Sequence, residues 1–501
     1  MLQFGEFLPD QSDYTNVGAT DAKNCIPLTN KSYAPLRDLS PVIDALTNRI
    51  QGAVSMQESD GTQHTFCGDN QNLFLLGSSA FAEISKSTNA YTCATDDHWD
   101  FVQYGNRAIA VNGHTDAPQS YVMGTSSDFA DLGGSPPQAK HCGVVGEFVM
   151  FGNIDDATDG VVPQRVHWCA INDPTDWPTI GSSDAAQKQS DRQDLKSGLS
   201  VQAIIGAVGG ADGAIFMRNS VFRVSYVGAP LVFEFKEVER GRGTIASKSV
   251  VNVGSAAFYL AEQGFFVYNG TTSQAIGNQK VDKFFFADLD FNFLHRITAA
   301  QDPVNKLVYW SYPGANNIDG RPNKVIIYNW EIGRWSYGEI TVDLIFTDTS
   351  PGYTMDNIDG FGNIDAIDTT FDDRFWVGGL SSLSAFNSAH RLSTFTGSAL
   401  ATTLTTTEFG GMELFSKPNE RLYVNGVRPY VDGGTITVEL DYRDSPSGSV
   451  TTDGPNSVDA NGTAHFTRSC RYARATIKVA AGGTWTHAQG VDLDVSEDGT
   501  S

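Results

Sequence analysis

Residues 306–340 read KLVYWSYPGANNIDGRPNKVIIYNWEIGRWSYGEI, and this stretch decides the fold. It contains two apolar, aromatic-rich runs of strand length, separated by a polar loop and closed by a Trp-x-x-x-x-Trp spacing. Runs that stay apolar on successive residues predict strands that are buried on both faces. A small sheet of this kind cannot bury both faces alone, so we expect it to pack against further copies of itself.

The same order of apolar strand, turn, second strand and polar close occurs elsewhere in the chain. Seven copies are marked by their first clear strand residues, which are Leu73, Ala108, Phe148, Ile215, Phe258, Val308 and Phe375. The steps between them are 35, 40, 67, 43, 50 and 67 residues, and the shorter steps approach the period of four-stranded propeller blades. The two long steps contain polar insertions at 178–200 and 349–371, which we expect to be functional loops.

We therefore predict an all-β protein with a β-propeller of six or seven blades over residues 49–400. Residues 1–48 are proline-rich and lack periodicity, which predicts an extended N-terminal arm that lies on a neighbouring chain. Residues 401–501 contain short alternating strands with VNG and DGG turns, which predict a C-terminal β-sandwich domain. Stacked sandwiches in place of the propeller would produce much of the same pattern.

The composition excludes several classes of function. Lys and Arg number 34 against 58 Asp and Glu, which gives a formal net charge of −24. A nucleic-acid reader needs a basic surface for phosphates, and the sequence has no run rich in Lys or Arg. The six cysteines form no C-x-x-C pair, so we expect reduced thiols. The opening residues lack the regions of a secretory signal, and no apolar run is long enough for a membrane span, so we expect synthesis in a cytoplasm.

Catalytic and metal-binding patterns are weak. Phosphate-binding loops, nucleophile elbows and H-E-x-x-H are absent from the sequence. In NIDDATDG, three residues fit a calcium loop, Asp155, Asp159 and Gly160, but Ala157 and Val166 do not. Histidines such as His98, His141, His167 and His295 show no ligand spacing and are expected at the surface or as satisfied core residues. We predict no enzyme, no catalytic residue, no cofactor and no metal.

Three stretches carry a resemblance to a known family. They are FGEFLPDQSDYTNVGATDAKNCIPLTNKSYAPLRDLS (4–40), VHWCAINDPTDWP (166–178) and RYARATIKVAAGGTWTHAQGVDLDV (471–495). The first is similar to the arm that opens tail hub or nozzle proteins of short-tailed bacteriophages, of the tail tubular and packaged-DNA-stabilisation type. The second resembles a Trp-containing blade edge of those proteins, and the third resembles their final β-domain.

The resemblance implies a structural virion protein, located in the tail and assembled in the host cytoplasm. Such a protein forms a homohexameric ring below the portal-adaptor (head-to-tail connector) complex, retains the genome and passes it during DNA ejection. Its partners are the adaptor, a tail fibre or tail tip protein, and double-stranded DNA that crosses the lumen without sequence-specific binding. The insertions at 178–200 and 349–371 are expected to line the lumen or contact fibres.

Five residues near the N-terminus are predicted to form an inter-subunit or adaptor interface: Phe4, Phe7, Leu8, Pro9 and Tyr14. The reason is that this segment is apolar and looks too irregular to bury these side chains within its own chain. The alternative function is a carbohydrate-binding or carbohydrate-active β-propeller protein. That class needs carboxylates at a site, and the chain has many, although it lacks the S-x-D-x-G-x-T-W box of sialidase blades.

Overall fold

The computed structural model describes residues 1–13, 16–77, 79–349, 379, 381–416 and 420–499, and these residues form an all-β protein. Helices in this described part are short, and they comprise the α-helices Ser183–Lys188, Asp282–Asp288 and Gly411–Phe415 and the 3-10 turns Ser247–Ser249 and Phe291–Arg296. None of the described helices is long and apolar enough to cross a membrane. All six cysteines are free and buried.

Seven groups of four antiparallel strands follow one another, and we number them sheet 1 to sheet 7 by their first strands. Sheets 1 and 2 are formed by Gly52–Gln57, Gln63–Gly68, Leu73–Leu76, Phe81–Glu83 and by Asp100–Tyr104, Arg107–Val111, Gln119–Val122, Ala130–Asp131. Sheets 3 and 4 are formed by Gln138–Val145, Phe148–Asp156, Gly160–Trp168, Asp191–Asp194 and by Val201–Val208, Ala211–Met217, Ser220–Gly228, Val232–Arg240. Sheets 5 and 6 are formed by Val251–Val253, Ala256–Ala261, Gly264–Tyr268, Ser273–Ala275 and by Thr298–Asp302, Leu307–Tyr312, Lys324–Asn329, Arg334–Gly338. Sheet 7 is formed by Val342–Thr349, Ser381–Asn387, Leu392–Thr394 and Ser40–Pro41.

The first strands of the seven sheets form a closed series. Those of sheets 1 to 4 contact one another in turn, and the turn Ser247–Ser249 before sheet 5 contacts those of sheets 4 and 6. The first strand of sheet 7 contacts those of sheets 6 and 1. Sheet 1 is also joined to sheet 7 by a side-chain contact, because the Thr65 hydroxyl donates a 2.9 Å hydrogen bond to Asp348. A closed series of small sheets that bury one another's faces is consistent with a β-propeller.

The stretch 306–340 forms three strands of sheet 6, because RWSYG is a strand as well as the two apolar runs. Trp310 and Trp335 are fully buried in the largest hydrophobic cluster. The ring of Phe265, in sheet 5, lies 4.8 Å from the Trp310 ring and 5.1 Å from the Trp335 ring. The aromatic side chains of one unit therefore pack on the neighbouring unit.

The residues that mark the predicted copies fall mostly on one strand position. Five of them lie in the second strand of their sheet, namely Ala108, Phe148, Ile215, Phe258 and Val308. Leu73 lies in the third strand of sheet 1, and Phe375 lies outside the described residues. Second strands have a neighbour on both sides within the sheet and packing on both faces, which favours apolar residues along their whole length.

The strands after residue 400 build two further sheets with strands from the start of the chain. A six-stranded sheet has the order Cys25–Thr29, Ser32–Pro35, Ala488–Glu497, Leu422–Val431, Ala464–Cys470, with Leu2–Gln3 also pairing with Ala488–Glu497. Sheet 6 continues into a ten-stranded sheet through Asp21–Lys23, Thr402–Thr405, Tyr472–Val479, Ile436–Arg443 and Thr451–Ser457, with Phe409–Gly410 also pairing with Tyr472–Val479. Side chains of both sheets, among them Val424 and Val438, belong to one hydrophobic cluster.

Residues 1–48 differ from the predicted extended arm. They contribute strands to the six-stranded sheet, to the ten-stranded sheet and to sheet 7, where Ser40–Pro41 pairs with Leu392–Thr394. The irregular sequence misled the prediction because these strands are only two to five residues long and pair with partners far along the chain. The domain boundaries predicted at residues 49 and 401 stay predictions.

The insertion 178–200 is not the continuous loop that we predicted. It contains the helix Ser183–Lys188 and the outer strand Asp191–Asp194 of sheet 3. This strand is polar because its side chains form ion pairs, such as the one between Asp194 and Arg165 Nε at 2.6 Å, and a polar edge strand reads as a loop in sequence. The insertion 349–371 lies outside the described residues after Thr349.

Candidate functional site

Two adjoining cavities lie where the sheets converge. The axial cavity, of about 180 Å³, is lined by residues of the first strands of sheets 1, 2, 4, 6 and 7 and by Ser247, Lys248 and Val250 ahead of sheet 5. The outer cavity, of about 310 Å³, is lined by residues that precede or belong to sheets 2, 3, 4 and 5 and by the turn Phe291–Arg296. His98 lines both cavities, so it stands between them.

An ion pair crosses this region. Lys248 Nζ donates a 2.8 Å hydrogen bond to Asp100, which also accepts one of 3.2 Å from the Cys142 main chain. His141 Nδ1 lies 3.5 Å from the same carboxylate. The contacts join the first strands of sheets 2 and 3 to the turn before sheet 5. Because these elements are far apart in the series, the pair holds opposite sides of the ring together.

The protonation of this group follows from its surroundings. Burial raises the pKa of Asp100, but Lys248 and His141 outweigh burial and leave the pKa below its ordinary value. Burial lowers the pKa of His141, and Asp100 offsets this only in part. At neutral pH the carboxylate is therefore charged and the His141 imidazole is neutral. This is an ion pair with a supporting hydrogen bond, and it offers no acid near neutral pH for catalysis.

Two residues that line the outer cavity each have a buried side-chain atom with no hydrogen-bond partner among the described residues. One is Oδ1 of Asn153, whose residue is only 7% exposed, and another is Nε2 of His98. Asn153 sits at a β-bulge with φ of 54°, a left-handed conformation that asparagine adopts more readily than most residues. The bulge turns its carbonyl toward His114, whose Nε2 lies 2.7 Å away.

The predicted interface residues lie elsewhere. Phe4, Phe7 and Leu8 are buried within this chain, Pro9 is partly buried, and Tyr14 is outside the described residues. The Phe7 ring lies 5.4 Å from Phe284 and 5.6 Å from Tyr337. The reason we gave for an interface, that the segment cannot bury these side chains internally, is therefore wrong. The interface itself stays a prediction.

We named four histidines from the sequence but did not predict that three of them would line one cavity. His98, His141 and His295 converge on the outer cavity although they are far apart in sequence. His167 lies on sheet 3, edge-on to Trp177 at 5.2 Å between ring centroids. The only available signal was position, because His98 and His141 each lie just before or on the first strand of a sheet, and this requires the strand assignment in advance.

The calcium-like turn NIDDATDG is a hairpin turn whose carboxylates are used by arginines. Asp156 accepts from the main chain of Thr158 at 2.9 Å, and Asp159 lies 2.5 Å from Arg165. Arg192 contacts both Asp156 and Asp159. Across the described residues, no group of three His, Cys, Asp or Glu side chains is placed to hold a metal ion.

A carbohydrate site, as the alternative function requires, would need carboxylates in a cavity, and a wider cavity of about 840 Å³ has them. It is lined by three carboxylates, Asp10, Glu262 and Asp282, together with several amide side chains. Burial raises the pKa of Asp282 to about 6, but this carboxylate accepts from the Phe265 main chain at 3.2 Å. Asp10 accepts from the Lys283 and Phe284 main chains, both at 2.8 Å, and so caps the helix Asp282–Asp288. Two of the three carboxylates thus stabilise the fold.

The similarity of this chain to known proteins is weak. No family model matches the chain, and no curated protein matches it. Among solved structures, it is similar to the extracellular domain of BT4673 from B. thetaiotaomicron, at 11% identity and a TM-score of 0.41, over 86% of this chain and 46% of that one. It is also similar to AztD from Citrobacter koseri, at 9% identity and a TM-score of 0.31, over 58% of this chain and 74% of that one. The chain thus spans about half the length of the BT4673 domain, and similarity at this level assigns neither a family nor a function.

Proposed function

We propose that this chain is a structural subunit of the tail of a short-tailed bacteriophage, a hub or nozzle below the portal-adaptor complex. Six copies form a ring that retains the genome and then passes it during ejection. The support is the resemblance of residues 4–40, 166–178 and 471–495 to such proteins, together with the architecture. The subunit acts as a scaffold and not as an enzyme, and it belongs to the virion.

The fold we propose in detail is a seven-bladed propeller with a C-terminal β-sandwich. Seven blades are supported by the seven groups of four strands and by the contacts between the first strands of sheets 7 and 1. The sandwich is supported by the cluster that the six-stranded sheet shares with the strands continuing sheet 6. Residues 1–48 join the two parts, because they contribute strands to the sheets of both.

The observation that carries the proposal is this joining by the N-terminal segment. Main-chain pairing links Lys23 to Tyr337 of sheet 6 and Asp21–Lys23 to Thr403–Thr405 after it. Arg334 donates a 2.7 Å hydrogen bond to the Thr29 carbonyl. A chain whose parts share a continuous sheet transmits force without a hinge, as a tail subunit under packaged-genome pressure must.

The conduit for DNA lies between subunits in this proposal. The axial cavity, of about 180 Å³, is far too small to hold a double helix, and the Lys248–Asp100 ion pair crosses it. Six copies at −24 each carry a formal charge of −144. An acidic wall repels phosphates and lets DNA slide, whereas basic patches would hold it.

The experiment that tests the function is immunoelectron microscopy of intact particles from the source lysate, with an antibody raised against the purified protein. We expect label confined to one vertex, at the tail, and none with pre-immune serum. Particles without label, when broken tails are also blank, would contradict the proposal. Mixing the protein with the connector protein and measuring mass in solution then tests the hexamer, because ring formation can require the partner.

The carbohydrate alternative is tested by incubating the protein with host polysaccharide and measuring chain length. Depolymerisation that is lost in Glu262→Gln would favour the alternative and locate its site in the 840 Å³ cavity. The structural proposal expects no change in chain length.

A further inference from the structure

We propose that a small oxyanion of the phosphate or sulfate class binds between Arg49, Arg296 and Arg321, where the first strands of sheets 6, 7 and 1 begin. The proposal does not depend on whether the chain forms a tail ring. It follows from a buried guanidinium without a partner, from two further guanidiniums beside it, and from the single buried carboxylate among them.

Arg296 is a buried cation without a counterion. The residue is 6% exposed, and the described residues supply its guanidinium with neither an ion pair nor a hydrogen bond. Arginine keeps its charge in proteins, and a charge that is buried without a partner is costly. Its Nε atom is enclosed, but its two η nitrogens are not, so they are the donors that an anion can reach.

The strand register places Arg296 beside Asp343, which lies in the first strand of sheet 7. The first strands of sheets 6 and 7 run side by side in the same direction, and the main chain of Ile345 donates to the Thr298 hydroxyl at 3.0 Å. Arg296 comes two residues before Thr298, and Asp343 comes two residues before Ile345. The two side chains are therefore neighbours at the start of these strands.

Two further arginines reach the same carboxylate. In the first strand of sheet 1, the Ser55 hydroxyl donates to the Thr349 carbonyl of sheet 7 at 3.5 Å. Arg49 and Asp343 come six residues before these two, so Arg49 flanks the carboxylate from the side of sheet 1. Arg321 Nε lies 3.6 Å from Asp343 Oδ1. Three guanidiniums thus surround one carboxylate.

The three guanidiniums repel one another. Burial, and then the charge of Arg49, lower the pKa of Arg296 to about 10, and Arg321 acts in the same direction. Burial also lowers the pKa of Arg49, and Arg321 adds to this. Arg49 donates to the Thr95 carbonyl at 2.8 Å, which leaves its other donors for a ligand. An anion between these side chains would relieve the repulsion.

The carboxylates near the cluster do not balance its charge. Asp343 Oδ2 already contacts Nδ1 of His390, and Asp343 Oδ1 has no hydrogen-bond partner among the described residues. Asp96 also acts on Arg49, but its side chain is 78% exposed and lies 3.4 Å from His295. The protein as a whole carries −24 and repels anions, so saturable binding of an anion requires a local positive surplus such as this one.

The planar guanidinium favours an oxyanion as the ligand. It donates paired hydrogen bonds to two oxygens of one phosphate or sulfate, and an anion with several oxygens can bridge several arginines. A phosphate group of DNA has the same chemistry. However, the 6% exposure of Arg296 leaves room for a small free anion and not for a duplex backbone.

The test is isothermal titration calorimetry of the full chain with inorganic phosphate, at about pH 7.5 and about 0.15 M sodium chloride, which screens loose attraction. We expect saturable one-to-one binding with a Kd of about 1 mM or tighter. Sulfate should compete with phosphate. A short DNA duplex should give no saturable heat, and duplex binding tighter than that of phosphate would overturn the proposal in favour of a nucleic-acid surface.

A matched pair of variants locates the site. Arg321→Gln should weaken phosphate binding about tenfold, because it removes charge-assisted hydrogen bonds, and its 36% exposed side chain makes loss of the fold unexpected. The control is Arg218→Gln, because the Arg218 side chain is 32% exposed and lies 3.5 Å from the Glu262 carboxylate. This control should leave Kd within about twofold.

Arg296→Met tests the buried charge itself, because methionine keeps an unbranched chain and removes the cation. About 20 mM phosphate should raise the melting temperature of the natural protein but not that of Arg296→Met. Without phosphate, the variant should melt at the same temperature as the natural protein or higher, since an unpaired buried charge is gone.

Three results would overturn the proposal. They are no saturable heat with phosphate, equal loss of affinity in Arg321→Gln and Arg218→Gln, and a lower melting temperature of Arg296→Met without phosphate. In the last case, Arg296 already has a stabilising partner in solution, such as water or Asp343.

Discussion

At the scale of single residues, Arg334 connects more of the molecule than its place on one strand suggests. Its side chain is 4% exposed and donates to the carbonyls of Thr29 (2.7 Å), Phe4 (3.2 Å) and Gly5. Its guanidinium also lies 4.4 Å from the ring centre of Tyr33. One planar cation thus satisfies main-chain oxygens at separate points of the N-terminal segment, which a more compact cation cannot do.

We expect Arg334→Lys to lower the free energy of unfolding by about 2 kcal/mol, because an ammonium reaches fewer of these carbonyls and leaves others buried without a donor. Thermal unfolding followed by circular dichroism measures this change. Arg240→Lys is the matched control, since the Arg240 side chain is 82% exposed. Equal melting temperatures for the two variants would show that Arg334 does not stabilise the N-terminal segment.

Asp348 gives a prediction for pH. Burial raises the pKa of this carboxyl to about 6, although Thr65 and the main chain of Thr349 donate to it at 2.9 Å each. The folded protein therefore keeps the proton longer than the unfolded chain, so this group's contribution to stability falls as pH rises from about 4 to about 6. Asp348→Asn removes that loss and keeps an acceptor oxygen.

We expect the advantage of Asp348→Asn over the natural protein to grow by on the order of 2–3 kcal/mol between about pH 4 and pH 7.5. Unfolding midpoints at both pH values measure it, with the exposed Asp319→Asn as control. An advantage that is independent of pH would mean that the carboxyl titrates normally.

At the scale of elements, prediction from sequence succeeded where apolar residues are continuous. The second strands, such as Leu307–Tyr312, were found because neighbours cover both of their faces. Edge strands such as Ser40–Pro41 and Asp191–Asp194 were missed, since a short or polar edge strand is defined by a partner distant in sequence. The residues of the candidate site were missed for the same reason, because His98, Asp100 and Lys248 meet only after the sheets close.

The N-terminal segment supplies the prediction at this scale. Phe7→Ala should destabilise the protein by about 3–5 kcal/mol, because the ring is fully buried against Phe284 and Tyr337. Val17→Ala, in the same segment but 82% exposed, should change stability little. Chemical denaturation measures both. If Phe7→Ala blocks ring assembly yet unfolds like the natural protein, the interface predicted from sequence is supported instead.

At the scale of the whole molecule, the parts before and after residue 400 do not have independent sheets. The strand Asp21–Lys23 lies between Arg334–Gly338 and Thr402–Thr405, and Cys25–Thr29 and Ser32–Pro35 complete the six-stranded sheet. Removing residues 1–48 would therefore leave unpaired edges and an uncovered core in the C-terminal part.

We expect a fragment of residues 401–501 to show no cooperative thermal transition. Residues 1–48 joined to it by a flexible linker should restore one, because they return the strands of the six-stranded sheet. Circular dichroism and proton NMR dispersion measure both proteins. Cooperative unfolding of residues 401–501 alone would mean that the C-terminal strands form a stable domain without the start of the chain.

The pairing of Leu2–Gln3 with Gly490–Val491 has a consequence for how the protein is made. On the ribosome, Leu2–Gln3 is made roughly 25–100 s before its partner Gly490–Val491 at common rates of synthesis. Phe7 lacks its ring partners until Phe284 and Tyr337 have been made, which is more than half of that time. An apolar segment around Phe4 and Phe7 is therefore exposed during much of translation, and we expect the yield in the cell to depend on chaperones that cover this segment.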